Sequence, residues 1–531
     1  MTSTVFSSGT VITAPWLNDV NTKTYADTSN TVAYQPAGTG AVATTVQAKL
    51  RQYVSVKDFG AVGDGVTNDQ PAIQAAIDSL IKSINVSFNG TISAKSGVLY
   101  FPSGSYKITT PLSLATAYGV IFEGDGIGST SIAWSTNDNT ASVINFSDCA
   151  FCQIRQMSII ANQPAHELVR IYNNVATTTV TSTSNTLQDV ELNGNFNVYS
   201  CVLVGGGADA NNDFMQFIRV SFMGYSHSGA FLQGFQSHQN HFFDCNFIGI
   251  NAAQTAQNGL YGVYSQIQSP SNSCASFIFE RGSCGWHAGA DFFVGGYTSL
   301  GCQIYYGDSE NSYRFFENGT VASSNTSVQI IGCRIESGKM ASDRKIIINN
   351  TQGPLLINGC TIGTGGSPIQ VQPYIFLNSS VQNVATITNN SFVYSNAASG
   401  DSSYTSSSVV VSALAGYDYA QITFANNSFI NPIKTTAANF FQSTGQTTIP
   451  VYFGYGPYNV VNSTTTNIST LTPAYPFQKI MIYVNDAFTT FVTGGNIKFQ
   501  NKTMPYTPGT TKQFELVYNS AFGFWTEATT E

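Results

Sequence analysis

Short segments that alternate apolar and polar residues for five or six positions recur along most of the chain. They are IRQMSIIA, LQDVELNG, FIRVSFMG, FFDCNFIG, SLGCQIYYG, IIGCRIESG, LINGCTIG, ITNNSFV and FANNSFI. Alternation with period two, stopped in many cases by glycine, marks a strand. Met157, Val190, Val220, Cys245, Cys302, Cys333, Cys360, Asn390 and Asn427 taken as one column give steps mostly about 25 to 37 residues long, the range of solenoid repeats. The longer step from Cys245 to Cys302 leaves room for one more repeat near ASFIFERG. No stretch between the anchors holds a 3.6-residue period long enough for two helices, and the fixed leucines of leucine-rich repeats are absent. The pattern predicts an all-β chain built as a parallel β-helix, its coils stacking like on like, with the asparagines of the repeated NNSF, Asn389 to Phe392 and Asn426 to Phe429, stacked along a ladder.

An open solenoid end exposes unpaired strand edges and calls for a cap. The segment VKDFGAVGDGVTNDQPAIQAAID, Val56 to Asp78, supplies one. Asn68 or Asp69 is a candidate N-cap, Pro71 falls in the first turn, and Ile73, Ala76, Ile77 and Leu80 form an apolar stripe. The glycines do not cradle a phosphate as a P-loop would, because the strand–loop–helix order and its lysine are missing. Past residue 445 the pattern changes to strand–turn–strand signals about 8 to 12 residues apart, which predicts a small antiparallel sandwich over 446–531.

Composition sharpens this. Of 531 residues, 42% are apolar, 13% aromatic and only 9% charged, where about a quarter charged is common. The aromatic content supports packed cores. A net charge of −8 argues against nucleic acid and anionic membrane surfaces as partners. No apolar run approaches a membrane span, and the N-terminus lacks the pattern of a secretory signal, so synthesis in a cytosol is expected. The nine cysteines lie mostly in strand-like runs and read as small buried hydrophobes rather than a disulfide framework. Cys149 and Cys152 have no second pair at zinc-ligand spacing. No metal or other cofactor is expected.

Three motifs in order, VSVKDFGAVGDGVTNDQPAIQAAI, GVLYFPSGSYKIT (Gly97 to Thr109) and IFEGDGIGSTSI (Ile121 to Ile132), resemble the opening of the pectate-lyase-like β-helices, a superfamily that includes polygalacturonases and bacteriophage tailspikes. The preceding SGTVITAPWLNDVNTKTYADTSNTVAYQPAGTGAVATTVQAKL resembles tailspike virion-attachment segments. The resemblance implies a right-handed parallel β-helix with a short N-terminal capping helix, a C-terminal β-domain and a homotrimer. It implies an attachment segment at 1–50 that binds phage tail or baseplate proteins, a β-helix at 51–445 with its capping segment at 53–80, and a trimerisation or sugar-binding domain at 446–531. Bacterial surface polysaccharide, capsule or O-antigen, is the implied ligand and the virion tail the implied location.

Ligands of a β-helix lie on its outer surface. With Val190, Val220, Cys245, Cys302 and Cys333 inward, an exposed stripe carries Asp189, Glu191, Arg219, Asp244, Arg334 and Glu336. A denser cluster follows in FIFERGSCGWHAGADFFVGG and CQIYYGDSENSYRFFENG. Carboxylates there serve as acid and base, and aromatic rings serve as sugar platforms. Glu280, Asp308, Glu310 and Glu336 are the candidate catalytic acids, with Asp244 as an outlying one. Arg281, Trp286, His287, Tyr305, Tyr306 and Arg314 are the candidate substrate-binding residues. The Cys302 and Cys333 registers place Tyr305 and Glu336 in one outward column. The bland alternative is solvated turn acids and packed aromatics. His227, His238 and His241 fall close in sequence without sharing a strand face, and structural roles suit them better than catalysis.

Three functions compete. The clustered acids favour a depolymerase that hydrolyses the polysaccharide with two carboxylates. Arg281 and Arg314 keep a lyase open. A non-cleaving fibre would use the same surface for adhesion alone. A cell-wall pectinase is disfavoured by the attachment segment.

Overall fold

The computed structural model describes residues 14–15, 30–86, 90–174, 182–205, 212–233, 237–251, 253, 258–266, 276–295, 301–319, 326–336, 346–350, 353–363, 375–377, 384–393, 411–413, 422–430, 441–443, 448–450, 457–460, 464–472, 479–484, 486–499, 502–509, 512–519 and 522–527. Most of the N-terminal segment expected to attach to a tail lies outside them.

The main body is one sheet wound into coils, in which almost every strand pairs in parallel with strands of the coils before and after it. Each middle coil has three faces. The first runs through Gln153–Arg155, Gln216–Ile218 and Cys302–Tyr305, and the second through Ser158–Ile160, Ser221–Met223 and Asp308–Glu310. The third runs through Ala165–Tyr172, Ser228–Gln233, Tyr261–Ser265, Ala290–Val294 and Arg314–Asn318.

The corner between the first two faces repeats one backbone conformation. Gln156, Asp189, Arg219, Asp244, Arg281, Tyr306, Asn389 and Asn426 have φ between 48° and 59°, and Gly332 and Gly359 take the same corner at 68° and 67°. A left-handed residue of this kind costs about 1–2 kcal/mol unless it is glycine. It persists here because both flanking strands are locked into ladders. The residue after each corner points inward. That column reads Met157, Val190, Val220, Cys245, Gly282, Gly307, Cys333, Cys360, Asn390 and Asn427. The extra coil near ASFIFERG is the strand Phe277–Gly285. Cys302, expected in this column, is not in it: it pairs with Phe277 and Val328, five positions earlier in the coil.

The interior is a continuous apolar core from Val56 to Phe392. Phe217 stacks on Phe242 at 4.7 Å and Phe222 on Phe247 at 4.3 Å, with interplanar angles of 8° and 4°. Asparagines do form a ladder. Asn390 Oδ1 accepts from Cys360 N at 2.9 Å, Asn427 Oδ1 accepts from Asn390 N at 2.9 Å, and Asn427 Nδ2 donates to Ile387 O at 2.9 Å. The eight described cysteines are buried.

The short helix expected in the opening motif is present. The helix Gln70–Asp78 buries Ile73, Ala76 and Ile77, and Leu80 follows them into the core. The aspartates of the opening motif close its turns. Asp69 accepts from Val62 N at 2.6 Å and Gly63 N at 3.1 Å, and Asp64 from Val66 N at 2.8 Å and Thr67 N at 2.7 Å. Asp58 completes a capping box with Ser55.

The C-terminal region departs from the expected sandwich. Phe441–Ser443, Pro457–Val460 and Lys479–Val484 pair in parallel, as do Thr448–Pro450 with Thr470–Thr472 and Thr466–Ile468 with Thr489–Phe491. Among the described residues of this region, antiparallel pairing enters where Lys512–Asn519 joins Lys479–Val484 and Phe524–Glu527, and at a bridge between Phe491 and Tyr506. Short strands with frequent turns suit parallel coils as well as hairpins, so turn spacing alone does not separate them. This region has its own core around Ile482, Phe491, Leu516 and Trp525. Among the described residues no helix is long and apolar enough to cross a membrane.

Candidate functional site

The left-handed corner sets charged side chains of successive coils one above another. Arg219 grips Asp189 at 2.6 and 2.8 Å, and Arg281 grips Asp244 at 3.1 and 2.8 Å. The Arg219 guanidinium holds the Asp189 carboxyl below the usual carboxylate range. Arg281 also lies over the Phe243 ring, 4.4 Å from its centroid. Asp244 and Arg281, expected as an acid and a substrate ligand, are thus each other's partners. Glu191 is not on this stripe. It belongs to the next outward column, with Ser221, Asn246, Ser283, Asp308 and Arg334.

The displaced Cys302 changes the acid geometry. Tyr305 lies opposite Glu280 and Ile331 on the first face, whereas Glu310 lies opposite Glu336 on the second. Tyr305 and Glu336 therefore share no column. The inward slot expected to hold Cys302 holds Gly307, and the extra coil before it has Gly282 in the same slot. A Cβ on Gly282 would meet Cys245 O at 2.2 Å, and one on Gly307 would meet the Phe279 ring at 3.0 Å. The Phe279 ring fills space that a side chain takes in other coils.

The candidate acids consequently fall on two faces. On the second, Arg334 reaches Asp308 at 2.8 Å, Glu310 at 3.1 Å and Glu336 at 2.8 Å. All four side chains are 41–51% exposed, so the pairs contribute little to stability. Glu310 and Asp308 raise the guanidinium's affinity for its proton. On the first face Glu280 lies 3.4 Å from His241 Nε2, and Tyr305 donates to Gln329 Oε1 at 2.9 Å. Tyr306, at the corner, is 62% exposed and covers Gly332.

His287, expected to bind substrate, is buried. Its Nε2 meets Tyr225 Oη at 2.6 Å and its Nδ1 meets Asp291 Oδ1 at 2.6 Å, while Ser312 donates to Asp291 at 2.5 Å. Gly249 and Gly262 leave room for the imidazole: a Cβ at either would stand 2.6 or 3.2 Å from it. A network so enclosed holds coils together and does not meet a polymer outside. Trp286 is half-buried beside it, its backbone N–H donating to Glu310 O at 3.0 Å. Arg314 sits on the third face, 3.5 Å from Glu317.

The third face also carries His166 and Tyr199, which no sequence motif marks, beside His227. Tyr199 stacks on His166 at 5.1 Å and on His227 at 4.3 Å. Beneath them Glu167 is buried, bonded to His166 Nδ1 and to Ser142 Oγ. Glu167 lifts the His166 pKa above its ordinary value against the pull of burial. Burial, then the neighbouring His166, pushes His227 down to about 4. These residues come from coils about 30 positions apart, and only their registers bring them together.

Residues 53–278 match the family model described as Rhamnogalacturonase A/epimerase, pectate lyase-like. A stretch of 83 residues is 40% identical to mannuronan C5-epimerase AlgE1 of Azotobacter vinelandii, covering 15% of this chain and 5% of that protein. Among solved structures, a mutant tailspike protein of E. coli bacteriophage HK620 in complex with a hexasaccharide superposes with a TM-score of 0.53 at 13% identity, over 86% of this chain and 84% of that one. A second HK620 tailspike mutant gives 0.51 at 14% identity, over 86% and 85%. Residues 53–278 are thus similar to the pectate-lyase-like family, and over most of its length the chain has the fold of the HK620 tailspike.

Proposed function

We propose that the protein is a phage tailspike that binds and depolymerises a bacterial surface polysaccharide, by glycosidic hydrolysis with a carboxylate pair. The observation that carries this reading is the gathering of Asp308, Glu310 and Glu336 around Arg334 on two adjacent coils. Coils are about 4.8 Å apart and alternate residues on a strand about 6.6 Å. Glu310 and Glu336, directly opposite, stand near the spacing of retaining enzymes, and Asp308 and Glu336, diagonal, near that of inverting ones. Arg334 holds the acids together until a substrate's hydroxyls take its place. The fold shared with sugar-bound tailspikes supports the polymer class, and also supports a trimer attached to the tail through its N-terminus.

The test is release of reducing ends from bacterial polysaccharides by Asp308→Asn, Glu310→Gln, Glu336→Gln and Glu280→Gln. Loss of a catalytic acid lowers the rate at least ~100-fold. Near-normal rates in all four would remove the site from this cluster. The local likeness to a mannuronan epimerase favours β-elimination as the second reading, and an unsaturated product absorbing in the ultraviolet identifies it. Binding without shortening of the polymer identifies a purely adhesive fibre.

A further inference from the structure

The acid cluster makes no use of the third face. There His166, Tyr199 and His227 occupy one outward position on three successive coils: Ala165 and Glu167 pair with Val198 and Ser200, and Ser200 with Ser228. The rings are nearly parallel, at 27° and 12°, and Tyr264 closes on His227 edge-on at 4.6 Å. Ring faces cover one another, so the edges reach solvent. Those edges carry the Tyr199 hydroxyl and His166 Nε2, neither of which has a hydrogen-bond partner among the described residues. Tyr199 is 38% exposed and the His166 side chain 40%.

The floor is polar and satisfied from within. Glu167 takes His166 Nδ1 and Ser142, Ser200 Oγ meets Ser228 Oγ at 2.9 Å, and His227 Nδ1 meets Ser228 Oγ at 3.2 Å. Both histidines are therefore fixed in orientation through Nδ1. The result is a rigid row of donor and acceptor edges set on aromatic carbon.

We propose that this row is a glycan-binding site, distinct from the acid cluster, that holds hydroxyl-bearing sugar rings of the polymer without cutting them. The proposal rests on the polysaccharide reading above. Sugar hydroxyls both donate and accept, and so match a phenol beside an imidazole. A subunit surface apolar enough to bury these rings would leave the phenol and imidazole unmatched, at a cost. Preorganisation by the stack lowers the ordering cost of binding.

The whole protein and its Tyr199→Phe, Tyr199→Ala and His166→Gln variants are applied to an array of bacterial capsular and O-antigen polysaccharides. Tyr199→Phe removes one hydroxyl and keeps the stack. It is expected to weaken capture about fivefold, a single hydrogen bond. His166→Gln is expected to match it and Tyr199→Ala to exceed it. The molar mass by light scattering and the rate of cleavage of short oligosaccharides should not change. If the array captures the wild type and the three variants equally, this site is wrong and the polysaccharide reading stands. If Tyr199→Ala changes the molar mass, the face is a subunit contact and the site is wrong. If the wild type captures nothing, the site falls together with the reading it rests on.

Discussion

Asn390 shows how one side chain ties three coils together. Its carbonyl takes the Cys360 N–H, its amide donates to Ile357 O at 3.1 Å, and its backbone N–H goes to Asn427. Asn390→Ala leaves the Cys360 N–H buried without that acceptor, and is expected to cost about 1–3 kcal/mol, read as a lower unfolding temperature. His227 gives a pH-dependent counterpart. Its folded pKa of about 4 lies below the unfolded value. The unfolded chain therefore binds the proton first as pH falls. The stabilisation is complete above about 6.5 and lost between there and about 4, by roughly 3 kcal/mol at most. His227→Gln should flatten the decline of thermal stability over that window relative to wild type. Little of this was legible beforehand. The asparagine pair was visible as a repeated NNSF, but the setting of His227 depends on Tyr199 and His166, one and two coils earlier, which no local pattern connects.

At the level of the strand, the inward column was readable wherever a coil used a residue type that repeats. Cys245, Cys333 and Cys360 announce it, and so do Asn390 and Asn427. It failed where the slot is glycine. The recurrence of cysteine points to Cys302 as the anchor, while Gly307 holds the position and Tyr306, not a glycine, makes the left-handed corner. One misplaced strand moved Tyr305 to another face from Glu336. The corrected register has a test. Gly282→Ala sets a methyl 2.2 Å from Cys245 O and is expected to destabilise by 2 kcal/mol or more, about what overpacking costs. An alanine at Tyr306 removes an exposed ring and should cost under about 1 kcal/mol. Chemical denaturation of the two variants compares them directly. Equal effects would return the column to Cys302.

For the whole molecule, stability is a sum over stacked coils closed at the ends. The cap helix was legible because a helical period stands out in a strand-rich chain. The far end was not, because short strands paired in parallel and a sandwich share their turn signals. Proposed trimer formation predicts three times the chain mass by light scattering at micromolar concentration. Removing the residues after 445 is expected to abolish that assembly or solubility before it abolishes cleavage, since strand edges would be laid open.

The charged corner has a consequence for how such a chain lengthens or shortens over evolution. Acid and base alternate there coil by coil, Asp189, Arg219, Asp244, Arg281. Excising the coil that bears Arg219 would set Asp189 upon Asp244, and duplicating it would set arginine upon arginine. Excising or duplicating two neighbouring coils restores every pairing. Length in this stretch is thus quantised in pairs, a parity rule written by side chains on a scaffold whose backbone would accept any whole number.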